Sequence, residues 1–260
     1  QLDLQNPCNT VKGDDDEPDI DSRYRALGTA SNFTYQLEES LNLHGARLRI
    51  DAVRFTDSFY TIEETNQHLY FKGVGNTLDR FTLPVMAYNG GRLAAQLQYL
   101  TGRTTSFSDL TGDLTMASVP GSPLLNDDQL RAFPASQFLD SSPSDPKSCN
   151  NILGPGDVSE DGSQIVFHFI SMAPYQDLYL RSSALACKGV RGPAHTHDIL
   201  CKIPLTQGIG RVVTGETSSG VFYDLPQTLS LRTLDFRLTD HRGLPVNLRG
   251  GSSSFELVFD

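Results

Sequence analysis

The feature that most constrains this chain is an alternation of apolar and polar residues that recurs along its length. Three of the clearest runs are residues 33–37, 234–238 and 255–259. Successive side chains of a β-strand point to opposite faces, so such runs are typical of strands with one buried face. Sheets with one apolar face must bury it against a second layer, and the pattern therefore favours an all-β fold.

The other strand predictions rest on the same alternation or on short aromatic and β-branched runs between turns. Residues 33–43 and 46–55 are predicted to form a hairpin around Leu43-His44-Gly45, and residues 58–62 and 68–72 a second antiparallel pair around the polar turn 63–67. Further predicted strands are 80–85, 106–117 with a Gly-containing turn, 164–172, 177–181, 198–204, 210–213, 220–223, 229–238 and 253–259.

One convincing helix interrupts the strands. Leu93, Leu97 and Leu100 are spaced by four and three residues after Gly90-Gly91, and Gly102 offers a stop, which predicts a helix over 90–100. A second, short helix is predicted over 127–133, with Asn126 or Asp127 as its N-cap. The fold class expected is an antiparallel jelly-roll β-sandwich with one short helix and long loops.

Two composition changes suggest the domain organisation. Residues 1–28 are acidic, contain proline and have few apolar side chains, which predicts a flexible N-terminal arm. The alternatives for this arm are a mobile tail and a segment that orders against a neighbouring subunit. Residues 29–260 are predicted to be a single jelly-roll domain, with a long loop excursion rich in Pro, Ser, Asp and Asn at about 120–155.

Charge and hydropathy exclude two classes of partner. The formal net charge is −10, and nucleic-acid affinity depends on Lys and Arg neutralising phosphates, so we expect no direct grip on nucleic acid. No run approaches the 18 or so apolar residues that span a bilayer, so we expect no membrane-spanning segment.

The four cysteines are Cys8, Cys149, Cys187 and Cys201, and their wide spacing argues against a zinc ribbon. Two disulfides remain open, but we favour free thiols because a chain of this length needs no covalent staples. Asn32-Phe33-Thr34 matches the glycosylation sequon inside a predicted strand, and it is weak evidence for secretion.

The best candidate for catalysis is a metal site at His195-Thr196-His197-Asp198, because two His at i and i+2 of a strand face one side, as in cupins. The carboxylate expected three or four residues later is absent, since Cys201 and Lys202 stand there. Adjacent carboxylates such as Glu38-Glu39 and Glu63-Glu64 would point to opposite faces, and we interpret them as solvated turn and edge residues. We predict no catalytic, cofactor-binding or metal-binding residues and no enzyme activity.

At the level of segment order, the chain resembles the jelly-roll capsid proteins of Polinton-like and adintovirus-type double-stranded DNA viruses, in particular their penton (vertex) protein. The resemblance covers most of residues 30–260, and its closing stretch, 231–259, is its strongest part. The other marks are Phe59-Tyr60-Thr61-Ile62, Leu69-Tyr70-Phe71, Tyr88-Asn89-Gly90-Gly91, Asn150-Asn151-Ile152-Leu153-Gly154, Leu178-Tyr179-Leu180-Arg181-Ser182 and Ile199-Leu200-Cys201-Lys202-Ile203-Pro204.

This resemblance implies a structural capsid subunit that self-assembles into a ring, conventionally of five copies, contacts a major capsid protein and resides in the virion after assembly inside the host cell. A domesticated cellular gene of this ancestry would look the same. Two rival functions remain: a ligand- or carbohydrate-binding β-sandwich that serves as an attachment module, and a cupin-like metal enzyme that uses His195 and His197.

Overall fold

A computed structural model of the chain describes residues 18–154, 156–159, 162–168, 170–186, 196–206, 208–215, 222–225 and 228–260. The strands are β1 (Asp19–Asp21), β2 (Leu27–Thr29), β3 (Asn32–His44), β4 (Arg47–Thr56), β5 (His68–Lys72), β6 (Leu78–Thr82), β7 (Thr105–Phe107), β8 (Leu114–Ala117), β9 (Gly156–Val158), β10 (Gln164–Phe167), β11 (Asp177–Arg181), β12 (Ile199–Pro204), β13 (Val212–Gly215), β14 (Tyr223–Asp224), β15 (Thr228–Thr239) and β16 (Ser253–Phe259). The helices are α1 (Gly90–Thr101), α2 (Asp127–Leu130) and α3 (Asn150–Leu153), with 3-10 turns at Ser22–Tyr24 and Ala135–Gln137.

The chain divides into two compact units. Unit 1 combines Gln1–Ser58 with Asp177–Asp260, and unit 2 is the intervening stretch Phe59–Gln176. The expectation of one domain over 29–260 stays a prediction.

Unit 1 is a sandwich of two antiparallel sheets. The first has the strand order β1-β16-β4-β13, with β14 also paired to β4, and the second has the order β12-β11-β15-β3-β2. The rings of Phe236 on β15 and Phe255 on β16 meet edge to face with centroids 4.8 Å apart, which joins the two sheets at the centre of the apolar layer. The predicted antiparallel all-β sandwich is confirmed.

A bulge in β4 explains an irregularity in the alternation. Leu48 and Ile50 are buried, and so are Val53 and Phe55, although the interval between the two pairs is odd. The register with β16 shifts at this point, and Ala52 has a positive φ of 46°. The extra residue of a bulge returns the following side chains to the same face, so all four contribute to the core.

The residues just before the first long strand are part of the sandwich. Of the predicted arm over 1–28, residues 1–17 lie outside the described residues, but β1 pairs with β16 and β2 pairs with β3. Ile20 is fully buried. The described part of the sandwich therefore begins 14 residues before the alternation becomes visible at Phe33.

Unit 2 contains a four-stranded antiparallel sheet, β7-β8-β10-β9, and the hairpin β5-β6. Helix α1 was predicted correctly: Asn89 caps it by accepting the backbone N–H of Arg92, and Gly102 ends it with a left-handed backbone. Leu93 and Leu97 lie in an apolar core shared with Phe71, Phe167 and other buried side chains.

Both predicted hairpins are wrong. Strands β3 and β4, which were expected to pair around Leu43-His44-Gly45, lie in different sheets: β3 pairs with β2 and β15, and β4 pairs with β13, β14 and β16. The predicted pairing of 58–62 with 68–72 is wrong as well. Residues 58–61 form no strand, Ile62 makes only an isolated bridge to Met86, and β5 pairs instead with β6. The turn between β5 and β6 contains Gly75 and Asn76, both with positive φ. Two consecutive residues of this kind favour a tight hairpin, and this signal outweighs the polar segment before β5.

The excursion at 120–155 contains α2, which falls within the helix predicted over 127–133, together with the 3-10 turn Ala135–Gln137 and α3. Asn126 caps α2 in a capping box with Gln129, as one of the two predicted caps. Leu125, Leu130, Phe133 and Phe138 pack with Tyr70 in a second, smaller core. Within the described part of the chain, no helix has both the length and the apolar character needed to cross a membrane.

Candidate assembly surface

The sandwich of unit 1 has two lateral sides, and the strand orders define them. The edge strands β1 and β2 are joined through the turn Ser22–Tyr24, so they lie on the same side. The opposite edges of the two sheets are β13 and β12, and β12 packs against β4, the neighbour of β13. We call these the β2 side and the β13 side.

The β2 side exposes large apolar side chains. Leu27 is 73% exposed and Tyr24 is 60% exposed. The turn that presents them is held by Arg25, whose guanidinium donates to the carbonyls of Ser22 and Gly28. Gly28 has a φ of +98°, and a Cβ there would meet the carbonyl oxygen of Asn32 at 2.2 Å, so the close approach of β2 to β3 requires glycine.

The β13 side carries a second apolar pair. Val212 is 55% exposed and Ile209 is 52% exposed. Two backbone hydrogen bonds tie this segment to the end of β4: Gly210 donates to the carbonyl of Asp57, and Asp57 donates to the carbonyl of Arg211. The pair is therefore presented on an anchored part of the backbone.

The edge strands also differ in how well they are protected against pairing with another strand. Strand β12 carries Lys202 and ends at Pro204, and both residue types discourage the addition of another strand. A hydrogen bond from Lys202 to Asp177, at 2.8 Å, raises the pKa of the lysine and keeps its charge beside this edge. Strands β2 and β13 contain neither Lys nor Pro, so their edges lack this protection.

The end of the sandwich next to the candidate metal motif, His195-Thr196-His197-Asp198, is occupied by structural ion pairs. Asp198 accepts hydrogen bonds from Arg181 at 2.9 Å and from Arg237 at 2.8 Å. Arg181 is only 4% exposed and also donates to Thr239. A buried guanidinium needs such partners, and Asp198 is therefore committed to the fold rather than open to a ligand.

The carboxylate of Asp235 binds the backbone at the start of the segment that follows β11. Asp235 accepts the backbone N–H groups of Ser183 and Ala184, at 3.0 and 2.8 Å. Burial works to raise the pKa of Asp235, but these hydrogen bonds outweigh it and hold the pKa below its ordinary value. Asp235 is thus an ionised cap for the loop.

The candidate metal residues are not brought together by anything described. His195 lies outside the described residues, and His197 and Asp198 precede β12. Among the described residues, no three His, Cys, Asp or Glu side chains are grouped so that they could hold a metal ion.

Two other sequence interpretations are resolved. Glu63 was interpreted as a solvated turn residue, but it is 5% exposed and accepts the backbone N–H of Tyr60, because the irregular segment before β5 needs side-chain partners. Cys149 and Cys201 are buried free thiols, and burial raises the pKa of each to about 12. Cys8 and Cys187 lie outside the described residues, and Asn32 is exposed at the start of β3.

A groove that could hold a ligand lies in unit 2. It has a volume of about 590 Å³ and lies between α1 and β7. Small residues of α1, including Gly91 and Ala95, line it together with Tyr99, which is 82% exposed. An exposed aromatic ring beside the polar groups of Gln98 and Ser106 is the kind of surface on which a sugar can stack.

Comparisons with known proteins find little. The chain matches no family model and no curated protein. Among solved structures it is similar to the mavirus penton protein, with a TM-score of 0.43 and 9% identity, over 88% of this chain and 98% of that one. This is a distant structural resemblance.

Proposed function

We propose that the chain is a structural capsid subunit that assembles with copies of itself through the two lateral sides of its sandwich. The observation that carries the proposal is the presence of one exposed apolar pair on each side: Tyr24 and Leu27 on the β2 side, and Ile209 and Val212 on the β13 side. Because the two pairs are different surfaces on opposite sides, a contact between them is heterologous and can close a ring.

The segment order that resembles vertex capsid proteins supports the finer parts of the proposal. The ring would stand at a capsid vertex and contact a major capsid protein, and the chain would be located in the virion after assembly in the host cell. The function is structural, with no enzyme activity. Negative-stain electron microscopy of the purified protein tests the ring, and mixing it with the major capsid protein from the same genome tests the second contact by co-sedimentation.

A mixing experiment tests the lateral contact. Leu27→Asp disables the β2 side and Val212→Asp disables the β13 side, so each variant alone is expected to be monomeric by light scattering. In a mixture, the intact β2 side of one variant meets the intact β13 side of the other. We expect one-to-one heterodimers that grow no further, because both remaining sides are disabled.

Leu110 and Val74 supply the matched controls, since they are 95% and 97% exposed in unit 2. Leu110→Asp and Val74→Asp are expected to leave the oligomer unchanged. A wild-type protein that is monomeric up to high micromolar concentration, or variants that assemble as the wild type does, would show the proposal to be wrong.

A second candidate function, carbohydrate binding, is favoured by the groove beside Tyr99. It predicts that a glycan array gives reproducible hits with the wild-type protein and that Tyr99→Ala abolishes them. Gln36→Ala, a substitution in unit 1, serves as a control. An array without hits removes this candidate and leaves the assembly proposal in place.

A further inference from the structure

The exposed apolar pairs by themselves do not decide how copies of the chain meet. Each lateral side could contact the same side of a second copy, which gives a two-fold dimer, or the opposite side, which gives a ring or an open chain of copies. The charges that stand beside the two pairs differ in sign, and they bear on this choice.

The β2 side carries a tyrosine surrounded by negative charge. Strand β2 pairs with β3 only as far as Thr34, so from Tyr35 onward β3 is the outermost described strand of its sheet. Strand β3 also packs against the turn Ser22–Tyr24. Burial raises the pKa of Tyr35, and nearby negative charges raise it further, so they lie close enough to the phenol to act on it. The carboxylates among them are Asp19, Asp21 and Glu38.

Asp19 and Glu38 keep their charges uncompensated. Both are exposed, and within the described ranges neither forms an ion pair. Asp21 differs, because Arg23 donates to it from Nε and Nη2 at 2.9 and 2.5 Å. Arg25 lies on the same side, but its guanidinium is held by carbonyls of the turn. We give the name Tyr35 patch to four residues of this side: Asp19, Tyr24, Tyr35 and Glu38.

The β13 side carries positive charge. Arg211 lies in sequence between the two exposed apolar residues of this side, and its carbonyl accepts the N–H of Asp57, which anchors its backbone. Its guanidinium forms no ion pair with a residue that the structure describes, and residues 208–215 include no carboxylate. Arg54, exposed on β4, lies opposite Thr214 of β13 and adds a second positive charge. The two sides are therefore complementary in charge.

We propose that the guanidinium of Arg211 docks on the Tyr35 patch of the neighbouring copy. The inference rests on the proposed assembly, and it names the contact that selects a ring over a two-fold dimer. Guanidinium groups form charge-assisted hydrogen bonds with carboxylates, and they stack on aromatic rings. The patch offers both, since Asp19 and Glu38 supply carboxylates and Tyr24 supplies a ring that is 60% exposed.

The same charges oppose the two-fold alternatives. A contact between two β13 sides would place two copies of Arg211, and two of Arg54, in one interface. A contact between two β2 sides would do the same with Asp19 and Glu38. Juxtaposed like charges count against a wrong partner, whereas opposite charges favour the right one. The contact of a β2 side with a β13 side is therefore the one that the charges favour.

Charge reversal on one side tests the contact. Arg211→Glu leaves both apolar pairs in place, and it should raise the apparent dissociation constant of the assembly about tenfold or more, measured by light scattering over a concentration series. Arg54→Glu should add to this effect, and Asp19→Lys combined with Glu38→Lys should act similarly from the other side. Circular dichroism checks that each variant is folded.

A charge exchange within one chain provides the decisive comparison. The exchanged chain carries Asp19→Lys, Glu38→Lys, Arg54→Glu and Arg211→Glu together, which leaves the net charge unchanged and lets opposite charges meet again at every contact. We expect its apparent dissociation constant to return to within about threefold of the wild-type value. Mixed with the wild-type chain, it should form separate assemblies, because every mixed contact brings like charges together. Co-purification of differently tagged copies measures the mixing.

Four exposed charges of unit 2 supply the matched control: Glu64→Lys, Asp109→Lys, Arg92→Glu and Arg131→Glu. This chain has the same number of reversals and the same net charge as the exchanged chain, and it should assemble as the wild type does. The inference is overturned by one-sided variants that assemble normally, or by an exchanged chain that does not recover or that mixes freely with the wild type. If Leu27→Asp and Val212→Asp still abolish assembly in that case, the lateral contact stands without this one, whereas a monomeric wild type overturns both.

Discussion

The two units of this chain satisfy their backbones in different ways. Unit 1 is dominated by long strands: β3 has 13 residues, β15 has 12 and β4 has 10. The longest strands of unit 2, β5 and β6, have five residues each. A long ladder pairs its own N–H and C=O groups, whereas short strands leave many of these groups to side chains.

Unit 2 shows what supplies the missing partners. Asn66, only 4% exposed, accepts the backbone N–H of Glu63 at 2.6 Å and donates to the carbonyl of Thr61 at 3.2 Å. The hydroxyl of Tyr70 donates to the carbonyl of Pro146 at 2.9 Å. The comparison teaches that unit 1 depends mainly on its apolar layer, and unit 2 depends also on a few buried polar side chains.

The largest expected effect is on the apolar layer of unit 1. Phe236 is fully buried and contacts Phe33 and Phe255, with ring centroids at 5.6 and 4.8 Å. Phe236→Ala should lower the free energy of unfolding by about 3–5 kcal/mol in urea denaturation followed by circular dichroism. Arg232→Ala, exposed on the same strand, is the control. A loss below about 1 kcal/mol would show that this layer is not what holds unit 1 together.

Substituting a buried polar residue of unit 2 is expected to lower the free energy of unfolding by a smaller but still large amount. Asn66→Ala leaves a buried N–H and a buried carbonyl without their partner, which should cost about 2–3 kcal/mol. Asn42→Ala provides the matched control, because Asn42 is exposed on β3 and its two side-chain hydrogen bonds, accepted from Ser230 and donated to the carbonyl of Ser40, lie at the surface. Equal effects of the two substitutions on urea midpoints would contradict the contrast between the units.

Acidification should weaken unit 2 through His68, which is fully buried on β5. Burial lowers the pKa of His68, and nearby Arg80 and Lys147 add to this, although Asp140, 3.2 Å away, opposes it. With the folded pKa below the unfolded value of about 6.5, the unfolded state binds more protons as pH falls. The contribution of His68 to the free energy of unfolding is therefore fully present when the pH is above that unfolded-state value, and it decreases as the pH falls below it.

The decrease cannot exceed about 1.4 kcal/mol per pH unit from a single group. Unfolding curves at pH values from about 7.5 to about 5 measure it, and His68→Gln should make them less dependent on pH. His44→Gln substitutes an exposed histidine on β3. If it reduced the pH dependence of the free energy of unfolding by the same amount, the effect would not come from His68.

The smallest expected effect concerns the reactivity of the two buried thiols, one in each unit, which reports on the units separately. Cys149 lies in unit 2 and Cys201 in unit 1, and burial raises both pKa values to about 12. In a variant with Cys8→Ser and Cys187→Ser, neither thiol should react with iodoacetamide at pH 8 in the native state. On mild acidification followed by pulse labelling, mass spectrometry should find Cys149 modified before Cys201. Simultaneous modification would mean that the units unfold together.

Local sequence signals predicted much of the secondary structure. The alternation at 234–238 and 255–259 matches buried faces of β15 and β16, and the leucine spacing with its flanking Asn and Gly matches α1. The interval between Ile50 and Val53 was visible in the sequence, but its cause, a bulge at Ala52, was not. These predictions succeed because strand and helix periods follow from backbone geometry within a few residues.

The candidate surface was beyond such signals. Tyr24 and Leu27 fall in the predicted arm, and Val212 falls in a predicted strand whose partner was unknown. An exposed apolar residue has the same letter as a buried one, so no local pattern separates them.

By itself, the sequence determined that this chain is built of antiparallel β-strands with a capped helix, because side-chain period and capping residues act over one or two turns of chain. Only the tertiary structure decided that β5 pairs with β6, that Glu63 is buried, and that Leu27 and Val212 remain exposed on opposite sides. The reason is physical: burial and pairing depend on the sum of contacts with segments distant in sequence, and each residue's neighbours in space are set only when the whole sandwich closes.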